Sequence, residues 1–248
     1  MIKNEIIIEV CCGSYEDVLA AKQAGAHRAE LNSALFLGGL TPSWGNFSAA
    51  RKIDGIKLLP MVRPRPAGFF YSNHEYETML IDAQMFLSGG ADGIVFGFLN
   101  ADGTIDEKRT KDFTKICGKK DAVFSRAFDL VPDPFNAVET LINCGVTRIL
   151  TSGLAQSAPE GIDAIKQLTE KTRGRIEILP GAGLRPTNIK HFVEYTGVNQ
   201  VHFSAMTKKN EPSGQHRAIH FGGALYPSEE IFDITSTEKI TNTISALK

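Results

Sequence analysis

The chain has 248 residues, enough to bury a sizeable apolar core in one domain without help from disulfides or metals. Its 27 lysine and arginine residues nearly balance its 28 aspartate and glutamate residues, so it lacks the broad positive field that binding to nucleic acid or an anionic membrane requires. Its apolar runs are all shorter than the ~18–20 residues of a membrane span, and the first run already contains Glu9. We therefore expect a single soluble, cytoplasmic domain with neither nucleic acid nor membrane as a partner.

Short runs rich in valine, isoleucine, leucine and phenylalanine alternate along the chain with stretches whose apolar residues recur at helical spacing. The runs predict eight strands, at residues 6–10, 28–31, 58–62, 93–98, 122–128, 148–151, 176–179 and 200–203. Strict alternation of strand and helix predicts parallel strands joined by crossover helices. Eight such units over residues 1–248 favour closure into one (β/α)₈ barrel, the TIM barrel, over an open sheet.

Two helix starts and one long connection stand out within this pattern. Pro134, directly after Asp133, is typical of a first helical position, and Thr235 with Glu238 predicts a capping box for the last helix. The connection between the last strand and that helix, residues 206–235, is predicted to be a long loop. Loops of this length in compact domains act as lids or contact surfaces, and we leave a lid and an oligomer contact as alternatives.

Polar residues at the carboxyl ends of the predicted strands are the candidates for a functional site, because the loops after the strands build the site of a (β/α)₈ barrel. The candidates, in chain order, are Glu9, Cys11, Cys12, Glu30, Arg63, Arg65, Arg126, Asp129, Ser152, Gly181, Gly183, His202 and Ser204.

Charged side chains close to a barrel core need partners, because desolvating an unpaired charge costs several kcal/mol. Two interpretations of Glu9, Glu30, Arg63 and Arg126 follow. They form an ion-pair network that closes the top of the barrel, or the arginines clamp an anionic ligand while the carboxylates act as acid or base. His202 is an acid, base or ligand if its face of the last strand, shared with Ser204, turns towards the lumen.

The turn 181–183 follows the seventh strand, where many barrels hold phosphate through backbone N–H groups. The alternative is that its two glycines only permit a tight turn between strand and helix.

The four cysteines match neither a disulfide framework nor a zinc pattern, since the chain has no CxxC. Cys11 and Cys12 are adjacent, and neighbouring side chains of an extended strand point to opposite faces. Both thiols can therefore bind the same ion only if the backbone turns at this point, for instance at Gly13. Soft thiolates select Cu(I), which makes copper a reasonable ligand; the alternative is one packed and one exposed cysteine.

Nine segments in unbroken order carry a further signal: residues 9–12, 30–31, 38–43, 63–65, 69–72, 126–129, 150–153, 181–183 and 201–205. Taken together, they resemble the CutC family of copper-homeostasis proteins. The resemblance implies a (β/α)₈ barrel, a cytoplasmic location, a homo-oligomer (dimer or tetramer) and Cu(I) at the vicinal pair Cys11 and Cys12. The chain departs from many members at Asn32, where they have cysteine, and at Ser125, where they have histidine.

Three functional hypotheses follow. The first is a role in copper homeostasis with Cu(I) at Cys11 and Cys12. The second is an enzyme acting on a small anionic or phosphorylated metabolite, with Arg63 and Arg126 as the clamp and Glu9 or Glu30 as the base. The polar set that also includes Arg65 and Asp129 favours such a ligand, because hard charged groups do not help to bind a soft cation. The third is a non-catalytic sensor or interaction module that uses residues 206–235.

Overall fold

The computed structural model describes residues 5–216 and 229–248. Its strands are β1 (Ile7–Cys12), β2 (Arg28–Leu31), β3 (Lys57–Pro60), β4 (Gly93–Phe96), β5 (Asp121–Phe124), β6 (Arg148–Thr151), β7 (Glu177–Pro180), β8 (Gln200–Phe203), β9 (Met206–Asn210) and β10 (Ile231–Thr235). Its α-helices are α1 (Tyr15–Gln23), α2 (Trp44–Ala50), α3 (Asn73–Ser88), α4 (Glu107–Cys117), α5 (Pro134–Asn143), α6 (Ile162–Thr172), α7 (Ile189–Thr196) and α8 (Thr237–Ser245). No helix in these two ranges is long and apolar enough to cross a membrane.

The first eight strands confirm the predicted barrel. They form two parallel four-stranded ladders, ordered β3-β2-β1-β8 and β4-β5-β6-β7. The Val62 amide donates to the Val95 carbonyl at 2.7 Å and joins β3 to β4, while β7 and β8 lie side by side at the other seam. Closure brings the carboxyl ends of all eight strands to one face, where a site can draw on residues far apart in sequence.

Residues of two kinds alternate along each strand. Those facing the helices belong to one large apolar core, as Val10 and Cys12 of β1 do. Those facing the lumen on β3 to β7 form a separate, smaller apolar cluster of Leu59, Met61, Val95, Val123, Leu150 and Leu179. The period of two in an extended strand explains this division.

On β1, β2 and β8 the lumen is polar instead. Glu9, Arg28, Glu30, Gln200 and His202 are all buried there. The parallel register sets Glu9 beside both Arg28 and His202, and Cys11 beside Glu30. One side of the barrel interior therefore carries a column of charged groups that compensate one another.

The fifth predicted strand, residues 122–128, is longer than β5 of the structure. Ser125 turns the chain out of the strand, and its hydroxyl accepts from the Ala127 amide at 3.3 Å at the start of a 3₁₀ helix, Arg126–Leu130. Arg126 and Asp129 consequently lie on a helical turn at the barrel mouth and not on a strand.

The connection 206–235 is not a plain loop. Its two ends pair as an antiparallel ribbon of β9 and β10, and a 3₁₀ helix, Pro212–His216, follows β9. Residues 217–228 lie outside the described residues, so the choice between lid and oligomer contact stays open.

The predicted capping box is wrong by one residue, since Thr235 ends β10 and the Ser236 hydroxyl caps α8. Pro134 does begin α5, as predicted.

Candidate functional site

A cavity of about 700 Å³ opens at the carboxyl end of the barrel strands. Buried side chains, among them Glu30, Arg63 and His202, line its floor, while exposed residues such as Arg185 and Lys239 line its mouth. Its volume falls within the range of small-molecule sites, roughly 300–1,000 Å³. The cavity lies at the face of the barrel where the sequence predicts the site.

Cys11, Glu30 and His202 meet on the cavity floor. One ligand atom from each residue lies within 4.8 Å of the corresponding atoms of the other two. The Cys11 thiol donates to Glu30 Oε2 at 3.6 Å, and His202 Nε2 lies 3.9 Å from the same oxygen. A thiol, an imidazole and a carboxylate converging in this way could hold a metal ion or act on a bound molecule.

Glu9 lies behind this cluster and holds the imidazole ring in place. Its Oε1 is 2.9 Å from His202 Nδ1, and its Oε2 accepts from Arg28 Nε at 2.7 Å. An ionised carboxylate can only accept, so Nδ1 of His202 carries a proton and Nε2 is the ring nitrogen left for the cavity. Glu9 is therefore a positioning group buried within the barrel, and not a base at the rim.

Ionisation within the floor follows from burial and these contacts. Burial, followed by the charge of Glu30, raises the pKa of the Cys11 thiol well above its usual value. Burial also raises the pKa of Glu30, against the opposing charge of His202. For His202, burial lowers the pKa, but the two carboxylates outweigh it and the pKa is raised. The free site thus holds a protonated thiol at neutral pH.

The vicinal cysteines do not converge. Cys12 is fully buried in the core between strand and helices, and its thiol lies 3.5 Å from the Val10 carbonyl. β1 stays extended through Cys12, so the turn at Gly13 comes too late to bring the two sulfurs together. The pairing of Cys11 with Cys12 as ligands of one ion is therefore corrected, because the partners of Cys11 are Glu30 and His202.

Arg63, one of the two arginines of the predicted clamp, and its neighbour Arg65 both hold loops through hydrogen bonds to backbone carbonyls. Arg63 donates to the carbonyls of residues 37, 38 and 39 and to that of Ala67. Arg65 pairs with Glu75 and donates to the Phe70 carbonyl at 2.8 Å. Neither Arg63 nor Arg126 pairs with Glu9 or Glu30 in the described residues, where the partners of the two carboxylates are Arg28 and His202, so of the two interpretations the ion-pair network of these four groups is wrong.

Arg126, Asp129 and Ser152 form a second network at the mouth. Arg126 donates to Asp129 Oδ2 at 2.8 Å and to the Ser152 hydroxyl at 2.7 Å. Asp129 also accepts from the Thr151 hydroxyl and from the amides of Ser152 and Leu154. The candidate Asp129 is thereby saturated with donors and fixes the loop after β6, whereas Arg126 keeps 41% of its side chain exposed.

The loop after β7 reaches the cavity only in part. The Gly181 amide donates to the Thr151 carbonyl at 2.9 Å and belongs to the barrel, while Gly183 lines the mouth together with Ser204.

Other polar and basic residues line the cavity as well, and Ser125 and Asn32 are two of them. Arg185 and Lys239 were missed by the sequence analysis, because neither stands at the end of a strand and lone basic residues carry no motif.

The column of charged groups in the barrel interior predicts that the free energy of unfolding depends on pH. The pKa of Glu9 is lowered to about 2: burial raises it, but the hydrogen bond from His202 and the charge of Arg28 outweigh burial. A carboxylate whose pKa is lower in the folded state contributes stability above its unfolded pKa and loses it as pH falls towards the folded value.

We therefore expect the unfolding free energy of the protein to fall below about pH 5, with Glu9 contributing about 3 kcal/mol of the loss down to about pH 2. Urea unfolding at several pH values, beside Glu9→Gln, measures this contribution. The stability gap between the two proteins should narrow as pH falls, and a gap independent of pH would contradict the assignment.

Comparison with known proteins shows which family this chain resembles in sequence. The model of the CutC family matches residues 6–207. A family protein CutC of Treponema denticola is 50% identical over 247 residues, 99% of this chain and 100% of that protein. A human protein named copper homeostasis protein cutC homolog is 38% identical over 245 residues, 98% of this chain and 89% of that protein.

Solved structures agree with the fold. A crystal structure from Streptococcus agalactiae, carrying the name copper homeostasis protein CutC, superposes with a TM-score of 0.76 at 32% identity, covering 80% of this chain and 98% of that one. Phosphoribosyl anthranilate isomerase from Thermotoga maritima superposes with a TM-score of 0.58 at 12% identity, with 98% of both chains covered, and supports the barrel fold alone.

Proposed function

This chain belongs to the CutC family, and from that membership and its cavity floor we propose that it acts in copper homeostasis by binding one Cu(I) ion. The observation that carries the proposal is the convergence of Cys11, Glu30 and His202 within 4.8 Å. Relatives named for copper homeostasis in mouse and human support the biological role.

The chemistry of two of the three groups suits Cu(I). Thiolate is a soft ligand that selects this ion, and imidazole also binds copper well. Sγ of Cys11 and Nε2 of His202 would be the two main ligands. Carboxylate is a hard ligand, so we assign Glu30 the role of proton acceptor. Its Oε2 already accepts the hydrogen bond of the Cys11 thiol and can receive the proton that the thiol loses when it binds metal.

Glu9 supports the site from behind. Metal-binding histidines commonly donate their other N–H to a carboxylate, which fixes the ring and raises its basicity as a ligand. Glu9 and His202 make this contact at 2.9 Å, and both side chains are buried. Asn32 donates to Glu30 Oε2 at 2.8 Å, so the residue that replaces a family cysteine orients the carboxylate.

Anaerobic Cu(I) titration against a competing chelator tests the proposal with single cysteine variants. We expect one equivalent bound by the wild type, an affinity at least tenfold lower for Cys11→Ser, and wild-type affinity for Cys12→Ala. The second variant is the matched control, since it removes a thiol adjacent in sequence that faces the other side of the strand. Equal losses in both variants, or no Cu(I) bound by the wild type, would refute the assignment.

A cytoplasmic location and a homo-oligomeric state also belong to this proposal, on the strength of the family resemblance. Sedimentation of the purified protein at micromolar concentration tests the second, and a monomer would contradict it.

A further inference from the structure

The cavity is far larger than a metal ion requires, and its lining is rich in positive charge. Arg63, Arg126, Arg185 and Lys239 line it together with a single described carboxylate, Glu30. A concentration of basic side chains in a concave site attracts anions and favours their binding. Copper, itself a cation, does not explain this charge.

Two of these four cations, Arg185 and Lys239, are held by neither a carboxylate nor several carbonyl groups among the described residues. The exposed Arg185 forms no side-chain hydrogen bond there, and Lys239 Nζ donates only to the Met206 carbonyl, at 2.6 Å. The other two are committed as described above, Arg126 to Asp129 and Arg63 to backbone carbonyls. The free charge therefore lies between the loop after β7 and helix α8.

Backbone donors are available in the same place. Ala182, Gly183 and Leu184 line the mouth, and within the described part of the chain no atom accepts a hydrogen bond from their amides. Ala182 and Gly183 both have positive φ, at 72° and 79°. Asn188 fixes the loop by donating to the Gly183 carbonyl and accepting from the Arg185 amide.

We propose that this mouth binds the phosphate group of a small phosphorylated organic molecule whose remaining part extends to the cavity floor. Three consecutive amides with Arg185 and Lys239 supply more donors than the two oxygens of a carboxylate use, and a phosphomonoester presents three charged oxygens. The loops after strands seven and eight are also where many barrels of this fold bind phosphate.

The floor provides a matching acceptor for the organic part. Glu30 Oε1 is buried and has no hydrogen-bond partner in the described structure. A hydroxyl group of the ligand would satisfy it, so we assign the organic part at least one hydroxyl group, as a sugar phosphate has. This inference concerns a ligand separate from copper and does not depend on metal binding.

Calorimetric titration with ribose 5-phosphate, with ribose and inorganic phosphate as separate probes, tests the proposal. We expect saturable binding of the sugar phosphate and of inorganic phosphate to the wild type, and none of ribose. Arg185→Glu should weaken phosphate binding at least tenfold. Lys119→Glu is the matched control, because this exposed residue precedes β5 at the opposite end of the barrel and the charge change is equal.

Two further measurements separate this inference from the copper site. Cys11→Ser should retain phosphate binding, and Arg185→Glu should retain the Cu(I) affinity of the wild type. Equal weakening of phosphate binding in Arg185→Glu and Lys119→Glu, binding of ribose as tight as that of ribose 5-phosphate, or no phosphate binding at millimolar concentration would each overturn the proposal.

Discussion

Replacing Asp129 by alanine is expected to lower the free energy of unfolding by about 3–5 kcal/mol, because several donors lose their acceptor at once. The carboxylate accepts from the hydroxyls of Thr151 and Ser152, from the amides of Ser152 and Leu154, and from Arg126. Its side chain is only 8% exposed, so its removal leaves several buried donors without their acceptor. Unfolding in urea, followed by circular dichroism, measures the loss.

The turn carboxylate Asp102 provides the control for this prediction. It is exposed and accepts from the amide and hydroxyl of Thr104. Asp102→Ala also removes a carboxylate that bonds locally, but water can solvate the donors it leaves. We expect a change of about 1 kcal/mol or less. A loss of similar size in both variants would show that Asp129 does not organise the barrel mouth.

The barrel could be predicted because the pattern that indicates it, an apolar strand followed by a stretch with helical spacing, occurs eight times along the chain. Three strands, at residues 28–31, 148–151 and 200–203, were predicted with their observed bounds, since each is a short run of buried residues closed by a polar turn. The end of β5 was not predicted. Ser125 and Ala127 look compatible with a strand, and only the local hydrogen bond of the serine hydroxyl turns the chain into a 3₁₀ helix.

The sequence could predict only where a candidate site would lie, at the carboxyl ends of the strands. Strand ends identify which residues approach the mouth, but pairing between them depends on the register of neighbouring strands. That register sets Glu9 beside Arg28, a residue with no predicted role, and Cys11 beside Glu30. One part could have been deduced: with Val10 and Cys12 on the apolar face, the period of two places Glu9 and Cys11 together in the lumen.

Replacing Glu9 by glutamine is expected to weaken both the fold and the copper site. The change keeps the shape of the side chain but removes the charge that compensates Arg28, whose own side chain is only 5% exposed. Leaving a buried guanidinium without its carboxylate costs about 3–5 kcal/mol. The imidazole of His202 also loses its charged acceptor at Nδ1, because the amide of glutamine is neutral, and we expect Cu(I) affinity to fall by roughly 10–100-fold.

A double variant separates the two effects of Glu9. In Glu9→Gln with Arg28→Met neither charge is left alone in the lumen, so part of the lost stability should return. Copper affinity should stay low, because His202 still lacks the carboxylate that orients it. Glu177→Gln, which removes a 45% exposed partner of Arg148, is the matched control and should leave copper affinity unchanged. Recovery of copper affinity in the double variant would mean that Glu9 serves the fold alone and that the ring of His202 needs no support from behind.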